Sequence, residues 1–165
     1  MPDKETLAET EDLVSERVGH LSLDFPAAHA VSSLYRAANA ARSYLTNTVL
    51  RPHELTWTGF VVLWIVWVWE GRETREVAES AAISKATLTG VVRTLESRGL
   101  ILRIPSEKDR RLVNLELTPA GVSLMEDLYP KFNAGEAQLV TALSQRRLRE
   151  LTLGLRQIVQ TTESR

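Results

Sequence analysis

The amino-acid sequence predicts a mainly α-helical fold with one small β-hairpin, on three observations. Apolar residues recur at helical intervals through residues 5–21, 24–51, 84–98 and 148–159, as they do in amphipathic helices. Between residues 101 and 117 the pattern changes. Val113, Leu115 and Leu117 alternate with Asn114 and Glu116, the preceding Ile101 to Pro105 is rich in branched residues, and the polar run SEKDRR separates the two strands. Proline and glycine fall between these segments, at Pro52, Gly71, Gly99 and Pro119. With 165 residues and 44% apolar content, the chain has the size of a single domain, of ~100 to 200 residues.

Taken in order, Leu7, Val14, Val18 and Leu21 give a first helix a narrow apolar stripe that calls for a partner, opposite an acidic face. Asp24 caps a longer second helix with Pro26 in its first turn, and Val31, Leu34, Tyr35, Ala38, Leu45 and Val49 hold the period until the helix ends near Arg51, ahead of Pro52. A third helix starts after the cap Thr56 and stops at Gly71, which suits a left-handed C-terminal position. A short fourth helix follows the cap Thr74. After a turn at Ala82 and Ile83, a fifth helix capped by Ser84 runs to Arg98. Gly99 takes the left-handed position there, and Leu100 packs back on Leu95 in a Schellman arrangement. The hairpin follows, then a helix opened by Pro119 in its first turn and continuing to about Thr162, with Pro130 expected to kink or break it. Leu148, Leu151, Leu155, Ile158 and Val159 form an apolar stripe on its last part. This order describes a winged helix-turn-helix core over residues 55–118, clasped by helices from residues 1–50 and 119–165.

Composition excludes several functions. Without cysteine there is no disulfide, thiolate zinc site, thiol redox sensor or sulfur nucleophile. The acidic start MPDKETLAETEDLV does not resemble a signal peptide, so a cytoplasmic location is expected. The most apolar run, Phe60 to Trp69, is far short of the ~20 residues of a spanning helix. The net charge of −1 excludes a generic polycation, yet its distribution is uneven. Residues 1–24 hold seven acids against Lys4 and Arg17, a net of −5, while residues 84–111 hold seven bases against Glu96, Glu107 and Asp109, a net of +4. That asymmetry directs an anionic partner to residues 84–111, a solvated mixed-charge surface being the plainer reading.

Steps of about 100° around the Ser84 to Arg98 helix place Leu88, Val91, Val92 and Leu95 in one sector and Ala86, Gly90, Arg93 and Ser97 opposite. The first sector faces the core. The second carries small residues that let the helix axis approach base edges, with Lys85, Thr87, Thr89 and Arg93 as polar reach. Ala86 or a threonine methyl suits a thymine methyl, and Arg93 suits guanine or a phosphate. The free N–H groups near Ser84 and Lys85 suit a phosphate. At the hairpin tip, Lys108, Asp109, Arg110 and Arg111 combine bases with a carboxylate able to hold a guanidinium extended, as a narrow minor groove requires. Helix, turn and charged hairpin together point to double-stranded DNA.

The segment from Leu55 to Gly121 resembles the DNA-binding core of the MarR-type winged helix-turn-helix regulators. The matching pieces are ELTWTGFVVLW, REVAESAAISKATLTGVVRTLESRGLILR and DRRLVNLELTPAG, and the flanking helices extend the likeness over nearly the whole chain. The resemblance implies a homodimer with interleaved N- and C-terminal helices, which thereby become dimerisation helices, and an inverted-repeat operator. It implies that the Ser84 to Arg98 helix reads the major groove while Arg111, oriented by Asp109, enters the minor groove. Three positions depart from the family's pattern: Ala82, where glycine is common at the turn; Gly59, where a polar side chain is usual; and Gly90, where relatives often carry a larger one.

Members of this family typically repress transcription and are released by small aromatic acids, by metals or by oxidation of a cysteine. The composition removes the last route, and His20, His29 and His53 lack the paired spacing of a metal site. For an organic effector, Trp57, Phe60, Trp64 and Trp67 form an aromatic stripe on the third helix. Tyr35 and Tyr44 are available from the second helix, and Arg36 or Arg42 can pair with a carboxylate. Plain core packing is the other reading of the same aromatics. The sequence thus predicts a dimeric, sequence-specific transcription regulator, a repressor with an aromatic or acyl effector and no cofactor. The alternative is a winged-helix protein-interaction module. No nucleophile and base pairing, metal spacing or glycine-rich phosphate loop suggests an enzyme.

Overall fold

A computed structural model describes residues 6–106, 109 and 112–163. It contains helices α1 (Leu7–Val18), α2 (Phe25–Leu45), α3 (Trp57–Trp69), α4 (Thr74–Ser80), α5 (Lys85–Ser97), α6 (Pro119–Leu139) and α7 (Gln145–Glu163), and strands β1 (Arg72–Glu73), β2 (Ile101–Pro105) and β3 (Val113–Leu117). Two compact units divide the chain between Arg42 and Ser43.

In the first unit, α1 begins with a capping box. The Thr6 hydroxyl accepts from the Glu9 N–H at 3.3 Å, and the Glu9 carboxylate accepts from the Thr6 N–H at 2.5 Å. Helix α1 ends at Val18, so Leu21 lies beyond it, in the connection, and not on its stripe. The Asp24 carboxylate accepts from the Ala27 N–H at 3.0 Å, as a cap for α2 should. Leu13, Val14, Leu21, Leu23 and Val31 are exposed.

In the second unit, the helical path does not stop ahead of Pro52. A π-helical turn, Thr46–Leu50, and a 3-10 turn, Arg51–His53, carry it through the proline. The reason is burial. Leu45 and Leu50 are both in the core, and a five-residue separation would set them about 140° apart on an α-helix. The wider π turn brings both inward.

Helix α3 is the centre of this unit. Its cap Thr56 accepts from the Gly59 N–H at 3.0 Å, and Phe60, Val62, Leu63, Ile65 and Val66 are buried along it. Helix α6 covers one side of it. The Phe60 and Phe132 rings stack with centroids 4.2 Å apart, and the Trp67 ring meets Tyr129 edge-on at 5.6 Å. Met125 and Leu128 are fully buried. Gly135 lies so close to the π turn that a Cβ there would stand 2.7 Å from a Leu45 methyl.

Two expectations about the C-terminal helices need correction. Pro130 sits inside α6 without ending it. A proline in a helix interior costs ~3 kcal/mol, but Leu128 and Phe132 are buried on either side of it, each worth ~2 to 5 kcal/mol against truncation. The carbonyl that loses its bond belongs to the exposed Glu126. The real break falls at residues 140–144, where Ser144 starts α7 by accepting from the Arg147 N–H at 3.3 Å.

The sheet is antiparallel with order β1-β3-β2. Strand β1 has only two residues, Arg72 opposite Leu115 and Glu73 opposite Asn114, too few to show alternation. It also moves the start of α4, because Glu73 occupies the cap position and Thr74 is the first helical residue. The hairpin pairs Ile101 with Leu117, Arg103 with Leu115 and Pro105 with Val113. Leu115 and Ile101 face the core, while Val113 and Leu117 are only half-buried.

Candidate nucleic-acid interface

The site rests on three neighbouring pieces of the second unit: the turn between α4 and α5, the exposed face of α5, and the β2–β3 hairpin. The turn is a Schellman motif. The Ile83 N–H reaches the Ala78 carbonyl and the Ala82 N–H reaches the Glu79 carbonyl, both at 3.0 Å. The left-handed position belongs to Ala82, with φ at 51°. The departure noted in the sequence is therefore a strained residue, and alanine holds the conformation that glycine would adopt freely.

Helix α5 opens one residue later. The Ser84 hydroxyl accepts from the Thr87 N–H at 3.0 Å and shares a 2.8 Å hydrogen bond with the Thr87 hydroxyl. Leu88, Val92 and Leu95 are buried at 1–2% exposure, with Val91 half-buried beside them. Lys85, Ala86, Thr87, Thr89, Gly90 and Arg93 are all exposed on the remaining surface. The Thr89 hydroxyl donates to the Lys85 carbonyl at 2.9 Å, so its one proton is engaged within the helix and its methyl and lone pairs remain for a partner. A Cβ built at Gly90 meets nothing within 4 Å. This surface is open and low, as a helix approaching base edges needs.

The far end of α5 closes as the sequence predicts. Gly99 has φ at 68°, the Gly99 N–H reaches the Glu96 carbonyl at 2.8 Å, and the Leu100 N–H reaches the Leu95 carbonyl at 3.0 Å. Strand β2 is tied to α5 by Arg103, whose Nε lies 3.0 Å from a Glu96 carboxylate oxygen. The hairpin narrows through Ser106, whose N–H donates to the Leu112 carbonyl at 2.9 Å. The Leu112 N–H donates in turn to the Asp109 carbonyl at 2.8 Å. Asp109 is half-buried. Lys108, Arg110 and Arg111 lie outside the described residues. Between α4, α5 and the hairpin lies a cleft of about 770 Å³ whose lining includes Arg75, Lys85 and Arg103. Arg75, on α4, escaped the sequence reading, and Arg103, on β2, was counted there only among the bases of residues 84–111, because only the fold brings both to the cleft that Lys85 lines.

The aromatic stripe has another place. Phe60, 4% exposed, is covered by Phe132 and is corrected from candidate ligand contact to core. Trp57 also leans on Phe132, at 6.0 Å, and Trp64 meets Trp69 edge-on at 5.4 Å. Trp67 borders a cavity of about 540 Å³ shared with Glu70, Glu116 and Glu126, three carboxylates where an acidic ligand would need bases. Tyr35, Arg36 and Arg42 are exposed in the first unit, and Tyr44 is exposed in the second. Among the described residues, no group of three or more histidines and acids is placed to hold a metal ion, and no helix is long and apolar enough to cross a membrane.

The model of the MarR family matches residues 55–113, the span from the start of α3 into the hairpin. The HTH-type transcriptional regulator YwaE of Bacillus subtilis (strain 168) is 36% identical over 137 residues, covering 83% of this chain and 80% of that one. Among solved structures, BpsR of Bordetella bronchiseptica, described for regulation of its DNA binding by 6-hydroxynicotinic acid, is similar at TM-score 0.72. Its identity is 26%, over 79% of this chain and 98% of that one. The S. aureus MepR–DNA complex shares the fold at TM-score 0.71 and 22% identity, over 79% and 96% of the two chains. The sequence motifs, the winged-helix geometry and these relatives agree, and the chain belongs to the MarR family of DNA-binding transcriptional regulators.

Proposed function

We propose that the protein is a homodimeric, sequence-specific repressor that binds an inverted-repeat operator and is released by a small aromatic or acyl ligand. The observation that carries the DNA reading is the open face of α5, where exposed Ala86, Thr89, Gly90 and Arg93 lie opposite buried Leu88, Val92 and Leu95. In this reading α5 lies in the major groove, Ser84 and Lys85 meet the backbone, and Thr87 stands at the rim. The hairpin straddles the neighbouring backbone with Lys108 and Arg110 on phosphates and Arg111, steered by Asp109, in the minor groove.

Support for dimerisation comes from α7, none of whose residues is buried and whose Leu151, Leu155, Ile158 and Val159 are exposed along one stripe. Such a stripe is stable in water when another apolar surface covers it. Two-fold symmetry then predicts half-sites about one helical turn, ~10 bp, apart. Support for an aromatic acid comes from BpsR, whose DNA binding is regulated by such an acid, and from the exposed Tyr35, Arg36 and Arg42 of the first unit; Tyr44 is exposed in the second. Trp57, Trp64 and Trp67 contribute ring edges at most, since each packs on another aromatic ring. The protein acts in the cytoplasm and catalyses no reaction.

The test is to select bound duplexes from random DNA and then to screen aromatic acids and their thioesters for release of the recovered site. A palindromic consensus, with a salt slope of several units from counterion release, is expected. Failure to enrich any sequence would overturn the proposal.

A further inference from the structure

The recognition helix is held at its C-terminal end by a side chain that neither the groove face nor the core accounts for. Arg98 is the cap residue of α5. Its Nη1 donates to the Glu54 carbonyl at 2.8 Å and its Nη2 to the His53 carbonyl at 2.9 Å. These carbonyls end the π and 3-10 connection of residues 46–53, where helix-terminal oxygens lack intrahelical donors and carry partial negative charge. The connection is shaped to offer them. Glu54 is left-handed, with φ at 54°, and the Leu55 N–H returns to the Leu50 carbonyl at 3.1 Å. A left-handed conformation is unfavourable for a residue other than glycine, and here it goes with two consecutive carbonyls turned toward one guanidinium. Only the planar fork of arginine reaches both at once.

The same end of α5 is fixed from the other side. The Thr118 hydroxyl donates to the Gly99 carbonyl at 2.6 Å, and the Thr118 N–H donates to the Leu100 carbonyl at 3.1 Å. Gly121, in the first turn of α6, sits so close that a Cβ there would overlap the Leu100 oxygen. The C-terminal end of α5 is thus a pivot gripped between the 46–54 connection and the start of α6. The groove-facing residues lie along the arm of α5 that runs from this pivot, whose inner face is packed on the core through Leu88, Val92 and Leu95. That arm is 13 residues long, about 20 Å at 1.5 Å per residue, so a tilt of about 10° at the pivot moves its tip by about 3.5 Å. Hydrogen bonds to base edges do not survive a displacement of that size.

We propose that Arg98 is a positioning residue for DNA recognition, its grip on the His53 and Glu54 carbonyls fixing the tilt of α5 and so the half-site spacing that the protein reads. The inference rests on the dimer reading above, because spacing has meaning only when two recognition helices are tied together.

The experiment compares wild type, Arg98→Ala and Arg98→Lys on duplexes carrying the selected half-site as an inverted repeat, with the spacing lengthened or shortened by one base pair, and on a duplex with a single half-site. Oligomeric state by sedimentation and thermal midpoint are measured alongside. Wild type is expected to lose about tenfold or more in affinity at the wrong spacings. Arg98→Ala should flatten that preference to about threefold or less, with single-half-site affinity little changed, and Arg98→Lys, keeping one bond, should fall between. A merely structural role would lower binding to all duplexes alike and leave the preference intact. Spacing preference unchanged in a dimeric Arg98→Ala or Arg98→Lys overturns the inference alone. A wild type that is monomeric, or that binds one half-site as tightly as two, overturns the dimer reading and this inference with it.

Discussion

Replacing Gly90 by alanine separates the folding of α5 from its function, because the two effects have opposite signs. Gly90 lies in the interior of α5, is exposed, and has no atom within 4 Å of the position its Cβ would take. A methyl group there meets no steric resistance in the free protein. Glycine in a helix interior is about 0.5 to 1 kcal/mol less favourable than alanine because the unfolded chain has more freedom to lose. The variant is therefore expected to be more stable by about that amount, which for a chain of this length raises the thermal midpoint by roughly 1 to 4 °C.

In the proposed DNA complex the same methyl would enter the space between the helix axis and the base edges. A contact that must open to admit one extra carbon costs about 1 to 3 kcal/mol, or roughly fivefold to 150-fold in specific affinity. The assay is a melting curve by circular dichroism paired with a fluorescence-anisotropy titration of the selected operator at fixed salt. A stabilised variant with unchanged affinity would show that Gly90 stands away from the bases and that the groove face is misassigned. A destabilised variant would refute the open environment itself.

Arg111→Ala should cost roughly 1 to 3 kcal/mol of specific binding if the side chain reads the minor groove, and unchanged operator affinity at fixed salt would defeat that assignment. Ala82→Gly should stabilise the protein by about 1 kcal/mol, because glycine adopts the left-handed conformation without the Cβ clash; a lower urea midpoint would contradict it. At the N-terminus, the Glu9 carboxyl is held below its ordinary value, first by the Thr6 backbone N–H and then by the Thr6 hydroxyl. Because the folded state has the lower pKa, the capping box contributes fully above the ordinary carboxylate range, and that contribution fades as pH falls through the folded value. An NMR titration of Glu9 with an ordinary midpoint would refute it.

The parts of the fold that were legible in the sequence are those in which a local rule and the tertiary structure ask for the same residue. Ser84, Thr56 and Gly99 do at the ends of their helices what serine, threonine and glycine do in isolation. The inward set Leu88, Val92 and Leu95 follows from the α-helical period alone. What was not legible depends on distant partners. The π turn exists because both Leu45 and Leu50 must be buried, and α6 survives Pro130 because Leu128 and Phe132 hold it to the core on both sides. Strand β1 is a strand only because β3 lies beside it. The aromatic stripe on α3 was ambiguous for the same reason. Its period is that of a buried face and of a ligand-facing one alike, and Phe132 and Tyr129, some seventy residues away, decide the cover of Trp57, Phe60 and Trp67.

The left-handed residues show how one geometry is reached by two chemical routes. Helices α4 and α5 end in the same Schellman motif, with Ala82 and Gly99 at equivalent positions and φ of 51° and 68°. At Gly99 the cost lies in the unfolded chain, through glycine's extra entropy. At Ala82 it lies in the folded one, through the clash of Cβ with the backbone. The strained turn persists because its neighbours over-determine it. Ile83 packs against the core on one side, and Ser84 must be extended to cap α5 on the other, with φ −68° and ψ 153°. A strain of about 1 to 2 kcal/mol is small beside what those anchors supply, but it sits at the end of α5 opposite the Arg98 pivot. Relieving it with glycine leaves the pivot and the buried Leu88, Val92 and Leu95 intact, so Ala82→Gly should gain stability without gaining affinity for DNA.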